Sequence, residues 1–380
     1  MSIFDRKPVL RWVAPLAFLA VVAGTGGLVS TATAKDALPE MSAQDLLVNL
    51  QKSKVDTFSG TLVQDSDLGI PALPGVGGSD DASLTSLVSG THTMDVWFAG
   101  PDKARLRVHG SMDETDVIVN GSDVWLWSYK DKTAKHRTIT GPSADQKADV
   151  EAHRKAAEDK APADLPKTPQ EAAERALKAI EPTTKVSIAR TDDVAGEQVY
   201  ELVLEPEDAD SLVSEIRIAV DGDNFMPLRV RVLAQDDPKP AFQVAYTDID
   251  FSKPDERQFD FKAPEGTEVT EGSDEKSGKA PSDAEIKAHK DKAAKADEAD
   301  KPKIVGSGWS SVMVAKLPAS AADQTDRQLG QVLSSLPTET GAWGSGKVLS
   351  GKAFTAVLTD DGRIAVGSVK KDKLFEALGK

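Results

Sequence analysis

Between Thr57 and Ile249 the chain breaks into eleven short segments in which apolar and polar residues alternate, and this pattern constrains the fold more than any other feature. Alternation with a period of two puts successive side chains on opposite faces of a strand. The segments are Thr57 to Gln64, Thr91 to Phe98, Ala104 to His109, Asp116 to Asn120, Val124 to Tyr129 and Lys135 to Ile139, then Lys185 to Thr191, Gln198 to Leu204, Val213 to Val220, Pro227 to Ala234 and Ala241 to Ile249. Connections such as Gly100-Pro101-Asp102, Asn120-Gly121 and Lys130-Asp131-Lys132 are turn chemistry, so neighbouring strands are expected to run antiparallel. Faces can be assigned in the second group. Ile216, Ile218 and Val220 oppose Arg217, while Leu228, Val230 and Val232 oppose Arg229 and Arg231, giving one apolar face and one face of water-directed arginines.

Two helices accompany the strands. Ser42 to about Lys54 places Leu46, Leu47 and Leu50 on one side, and Thr168-Pro169-Gln170-Glu171 opens a second helix, with Ala173, Ala176, Leu177 and Ile180 at helical spacing. A curved sheet of about eleven strands either closes on itself or covers its apolar face with helices. With two helices available, the interior is packed solid or left as an aliphatic cavity.

The first 34 residues read as an export leader. Arg6, Lys7 and Arg11 precede 18 uncharged residues from Trp12 to Val29, and Ala32-Thr33-Ala34 offers a cleavage site before Lys35. Cleavage is the expectation and an uncleaved N-terminal anchor the alternative, because 18 residues is the lower edge of a membrane span. The sequence has no cysteine, so it has neither a disulfide nor a lipid-bearing leader cysteine. Hydrophobic residues make up 39% of the chain, enough to bury a core, and the formal net charge of −15 tells against nucleic acid and against an anionic membrane surface as electrostatic partners.

Chemistry is sparse. The five histidines, His92, His109, His136, His153 and His289, sit on separate segments without metal-ligand spacing. There is no G-x-S-x-G elbow. We therefore expect no catalytic residues, no metal site and no cofactor, and a protein that binds rather than reacts.

The chain divides at charged, alanine-rich stretches. From Gly272 to Lys303, eight basic and eight acidic residues are interspersed with Ala, Ser and Gly, and no apolar periodicity survives. A second stretch, 145–167, interrupts the strands. The expected domains are a leader over 1–34, a strand-rich domain over 37–270 with the 145–167 insertion, a linker over 271–303, and a small α+β module over 304–380. In that module Trp309 to Leu317 reads as a strand, Thr325 to Leu336 as a helix, Ala353 to Leu358 and Ile364 to Val369 as a hairpin, and Asp372 as the cap of a last helix. Gly341 to Lys347 lacks the ending of a phosphate loop and reads as a plain loop.

The succession Thr57-Phe58-Ser59-Gly60-Thr61, Trp97-Phe98-Ala99-Gly100-Pro101-Asp102-Lys103-Ala104-Arg105-Leu106-Arg107 and Val119-Asn120-Gly121-Ser122-Asp123-Val124-Trp125-Leu126-Trp127 resembles the lipoprotein-carrier fold family, which includes LolA and RseB. The closing stretch Phe259 to Thr267 resembles the end of the same domain. The resemblance implies an α+β fold: an unclosed antiparallel β-barrel of about eleven strands with a helical lid, plus the C-terminal module. It also implies an apolar cavity that takes a lipid or lipoprotein acyl chain, and, on the RseB side, a membrane-anchored protein partner such as an anti-sigma factor. Cavity candidates are Leu47, Leu50, Leu106, Val108, Ile216, Ile218, Val230 and Val232. Lid or mouth candidates are Leu68, Ile70 and Leu73 in an apolar Gly/Pro loop, and Trp97, Trp125 and Trp127.

Overall fold

A computed structural model describes residues 38–70, 82, 86–138, 177–178, 182–190, 193–272, 302–316 and 333–379. The leader, the 145–167 insertion, Leu73 and most of the segments read as a second helix and as a 325–336 helix lie outside the described residues.

Helix α1, Ala43–Lys52, starts where Ser42 accepts from the Asp45 amide at 3.1 Å while its hydroxyl donates to the Asp45 carboxylate. This satisfies one of the orphan donors of the first turn. Leu46, Leu47, Val48 and Leu50 on its inner side are buried.

The strands form one sheet of twelve. They are β1 Thr57–Ser66, β2 Gly90–Ala99, β3 Lys103–His109, β4 Glu114–Asn120, β5 Asp123–Ser128, β6 Thr133–Thr138, β7 Thr184–Arg190, β8 Val199–Pro206, β9 Val213–Asp221, β10 Pro227–Ala234, β11 Pro240–Asp250 and β12 Glu268–Glu271. Their order is β12-β6-β5-β4-β3-β2-β1-β11-β10-β9-β8-β7. Two meanders, β1 to β6 and β7 to β11, are therefore joined along a central β1–β11 seam, and the sheet stays open with β12 and β7 at its edges. All eleven expected strands are present. The twelfth corrects the purely antiparallel expectation, because β12 pairs with β6 in parallel. Glycine is needed at Gly60 in the seam: a Cβ there would lie 2.5 Å from the Asp248 carbonyl and 3.0 Å from the Tyr246 ring. The ladder slips just beyond it, between Thr61 and Leu62.

A second, six-stranded sheet has the order β13-β14-β18-β17-β16-β15, built from β13 Lys303–Val305, β14 Val312–Lys316, β15 Thr338–Gly341, β16 Gly344–Ser350, β17 Thr355–Thr359 and β18 Arg363–Gly367. Helix α2, Lys371–Leu378, packs Leu374, Ala377 and Leu378 onto Val312, Trp343, Val348, Val357 and Ala365. Three local readings need correction. Gly341 to Lys347 is the turn and flank of the β15–β16 hairpin, its glycines allowing positive φ at Gly344. Trp309 belongs to a short 3-10 turn, Gly308–Ser310, that precedes β14. The residue before α2 is Lys370, so Asp372 lies in the first turn, where its charge still suits the helix N-terminus.

The two sheets touch. Ser211 bridges to Val369, the Leu212 amide donates to the Ser368 carbonyl at 2.8 Å, and Trp309 Nε1 donates to Thr184 Oγ1 at 2.7 Å. Ala353 packs with Val213, Ala234 and Ala241, joined by Leu68, Ile216, Val232 and Trp309. Lys352 Nζ reaches Asp67 at 2.5 Å and Asp237 at 2.8 Å.

Candidate functional site

Residues paired across neighbouring strands share a face, so the register fixes the two sides of the large sheet. One row runs Ile188, Leu202, Ile218, Val230, Val244, Gln64 and His92 from β7 to β2. A second runs Ile249, Gly60, Val96, Leu106, Val117 and Leu126. Leu62, Met94 and Val108 form another, as do Phe58, Phe98, Ala104, Val119 and Val124. This is the apolar face.

Its cover is uneven. Over β8 and β9, Leu46, Leu47 and Leu50 of α1 pack on Tyr200, Leu202 and Val220, with Ile218 and Leu177 beside them. At β2 and β3, Ala82 and Leu87 lie on Met94 and Val108, with Leu106 alongside. Ile216, Val232 and Leu68 meet the second sheet through Ala353 and Trp309. Between these groups Phe98, Ala104, Val117, Val119, Val124, Leu126 and Val230 are only half-buried and, among the described residues, join none of the packed clusters.

The structure thus places Leu106, Val108, Ile216, Ile218, Val230 and Val232 on one face, with Leu47 and Leu50 on the helix that covers part of it, but distributes them over separate groups. Ile70 is half-buried. Val117, Val119, Val124 and Leu126, absent from the sequence-based candidates, share the same face. Their alternation was visible, but β5 is apolar on both sides and gave no reason to choose.

The tryptophans lie on the opposite face. Trp97 pairs with Arg105 across the β2–β3 ladder, and the guanidiniums of Arg105 and Arg107 each sit 5.6 Å from its ring centroid. Trp125 and Trp127 contact Phe261, from the segment that returns over this face after β11. That segment, with fully buried Phe259, covers part of the face that carries Trp125 and Trp127. A cleft of about 280 Å³ remains there, lined by Asn120, Asp123, Trp125, His136, Phe259, Asp260 and Phe261.

Two buried carboxylates organise the charge on this second face. Asp116, fully buried, pairs with Arg105 and Arg107. Glu201, also fully buried, accepts from Arg231 at 2.7 Å and from Arg217 and Arg229 at 3.1 Å each. Burial alone would push the Glu201 carboxyl up, but the hydrogen bond and charge of Arg231, with those of Arg229 and Arg217, hold it below the usual glutamate range. Burial likewise opposes protonation of His136, and its hydrogen bonds to Asp123 and Glu271 outweigh it, raising the imidazole above its ordinary value. Among the described residues no group of three or more histidines, aspartates and glutamates is arranged to hold a metal ion, and no helix is long and apolar enough to cross a membrane.

The family described as predicted periplasmic proteins (DUF2092) matches residues 80–271, half of the chain. The chain belongs to this family. The matched stretch holds β2 to β12, so both faces described above lie largely within it, and the family description agrees with an extracytoplasmic location. A search of curated proteins finds no match. Solved structures that resemble the chain include the MucA/MucB complex of Pseudomonas aeruginosa, at 14% identity over 88% of this chain and 96% of that one, with a TM-score of 0.40. A LolA superfamily protein from Nitrosomonas europaea matches at 12% identity over 58% of this chain and 99% of that one, with a TM-score of 0.23. An outer membrane lipoprotein-sorting protein domain, so named, from Vibrio parahaemolyticus matches at 11% identity over 57% of this chain and 95% of that one, with a TM-score of 0.21. These scores are too low to carry a functional argument, which rests on the residues themselves.

Proposed function

We propose that this is a non-catalytic, exported binding protein that holds the acyl chain of a lipid or lipoprotein against the apolar face of its open sheet. The observation that supports this most directly is the run of half-buried apolar side chains on β2 to β5, Phe98, Ala104, Val117, Val119, Val124 and Leu126, which pack into no buried cluster. An alkyl chain laid along this run gains roughly 0.8 kcal/mol per buried CH₂. Leu106 and Val108 flank one side of it, and Ile216, Ile218, Val230 and Val232 continue the face towards Leu47 and Leu50 of α1, which acts as a partial lid. Ile70 is proposed to stand near the mouth, while Leu68 meets the second sheet and the tryptophans lie on the opposite face.

In this reading residues 37–270 form the binding unit, 271–303 the linker and 304–380 an accessory module, behind a leader cut before Lys35. Docking of the second sheet on Ile216 and Val232 favours one further role: the module presents the binding unit to a membrane-anchored protein partner, in the manner of a regulator.

Native mass spectrometry of the protein purified from its own host, followed by lipid extraction, tests the proposal. A lipid or acylated peptide at near-unit stoichiometry is expected. Ligand-free protein that also fails to bind a hydrophobic fluorophore would refute the carrier role and leave the partner scaffold.

A further inference from the structure

The arginine cluster lies on the face turned away from the proposed acyl site, and nothing in that reading uses it. Arg217 and Arg231 are directly opposed cross-strand partners on β9 and β10, an arrangement that costs stability when both are charged. Arg229 stands two residues before Arg231 on the same face. These three guanidiniums form ion pairs with two carboxylates, Glu201 and Glu215, which leaves one positive charge outside the pairs, with Asp65 beyond Gln243 on the same face, in a chain whose formal net charge is −15.

Acceptors are short as well as charge. Arg229 and Arg231 each donate to Glu201 Oε1 through Nη2 and to no other described group, and the Nε of each is buried without a partner. Each guanidinium carries five donor hydrogens, so most of their capacity is unused. Their side chains remain 19% and 24% exposed, within reach of a ligand from solvent. On the side away from Glu201, their cross-strand neighbours on β11 are Ala245 and Gln243. Ala245 leaves a low floor beside Arg229, and the Gln243 side-chain amide, which makes no hydrogen bond among the described residues, adds a donor next to Arg231.

We infer that Arg229, Arg231 and Gln243, above Ala245, form a binding site for a singly charged phosphate group, either free or as the phosphodiester of a lipid headgroup. One leftover positive charge matches one negative charge. A planar guanidinium pair matches phosphate oxygens better than any other side chain does. The rigid anchor is Glu201, which holds both arginines from beneath and leaves their outer edges to the ligand.

The test is isothermal titration of the full chain with inorganic phosphate, together with co-sedimentation on phosphatidylglycerol vesicles. Saturable binding of either is expected, weakened roughly tenfold or more in R229Q/R231Q and unchanged in R257Q, which removes one positive charge from an arginine that is 88% exposed. The A245E variant, which leaves the Glu201 pairs intact, should also lose binding, so a folding defect in the double variant does not decide the matter. Phosphate binding without vesicle binding identifies a free anion as the ligand, and vesicle binding sensitive to both variants identifies the headgroup. Failure of both probes to bind, or binding undiminished in A245E and R229Q/R231Q, would overturn the site.

Discussion

Trp125 and His136, cross-strand partners on β5 and β6, stack with ring centroids 4.1 Å apart and planes 16° from parallel. The stack holds the imidazole between Asp123 at 2.9 Å and Glu271 at 2.7 Å, so a titratable group fastens the parallel strand β12 to the edge of the sheet.

Attachment of β12 should therefore depend on pH. The folded His136 value is raised above about 6.5, so its stabilisation is complete below that pH and is lost as pH rises through the raised value. Hydrogen exchange at Glu268 and Gly272, whose amides donate to the Lys132 and His136 carbonyls, should, corrected for intrinsic rates, be better protected at pH 5.5 than at pH 8.5. In H136Q the difference should vanish.

Replacing Glu201 by Gln should destabilise the protein by about 2 to 3 kcal/mol at neutral pH, less than the roughly 3–5 of a fully buried broken pair because the arginines reach solvent. The folded carboxyl lies below its ordinary value near 4.5, so its contribution is full above that pH and fades as pH falls through the folded value. Urea midpoints of wild type and E201Q should differ clearly at pH 7, and the gap should narrow as the pH falls below about 4.5.

Filling the half-buried run should block the proposed ligand without harming the fold. Val119→Trp, on the face that Phe98 and Val124 share, is expected to keep or raise the melting temperature and to abolish hydrophobic-fluorophore binding. Unaltered binding would place the ligand elsewhere.

Ala353 is 9% exposed at the contact between the sheets. An arginine there should undock the second sheet while leaving both sheets folded. The signature is faster exchange of the Leu212 amide, which donates to Ser368, and a red shift in the emission of Trp309 as its bond to Thr184 is lost.

Gly60→Val should cost at least about 2 kcal/mol, because backbone at the Asp248 carbonyl cannot yield as a flexible side chain would. Chemical denaturation measures this directly, and a neutral result would mean that the seam can shift.

Much of this was legible in the alternation of particular residues. Ile218, Val230 and Val232 against Arg217, Arg229 and Arg231 gave the faces of β9 and β10, and the register agrees. Glu201 was not legible as the centre of the arginines, because Val199 to Val203 is buried on both faces and its pattern carries no period. The surroundings of Trp125 and Trp127 were not legible for a related reason: Phe261, which contacts both, lies far along the chain and acts through tertiary contact alone. Strand β12 is four exposed residues paired in parallel, too short and too polar to show a signal.

The central seam has a consequence for how the protein comes to exist. Gly60 pairs with Ile249, about 190 residues later, so the ladder that unites the two meanders cannot form until nearly the whole sheet has been made. Closing so long a loop is slow and entropically costly. A chain exported N-terminus first would thus have β1 across its membrane, with one edge still unpaired, well before β11 arrives to complete the sheet on the far side. Delayed assembly keeps the nascent chain threadable, and it also makes β1 the segment most exposed to aggregation while it waits.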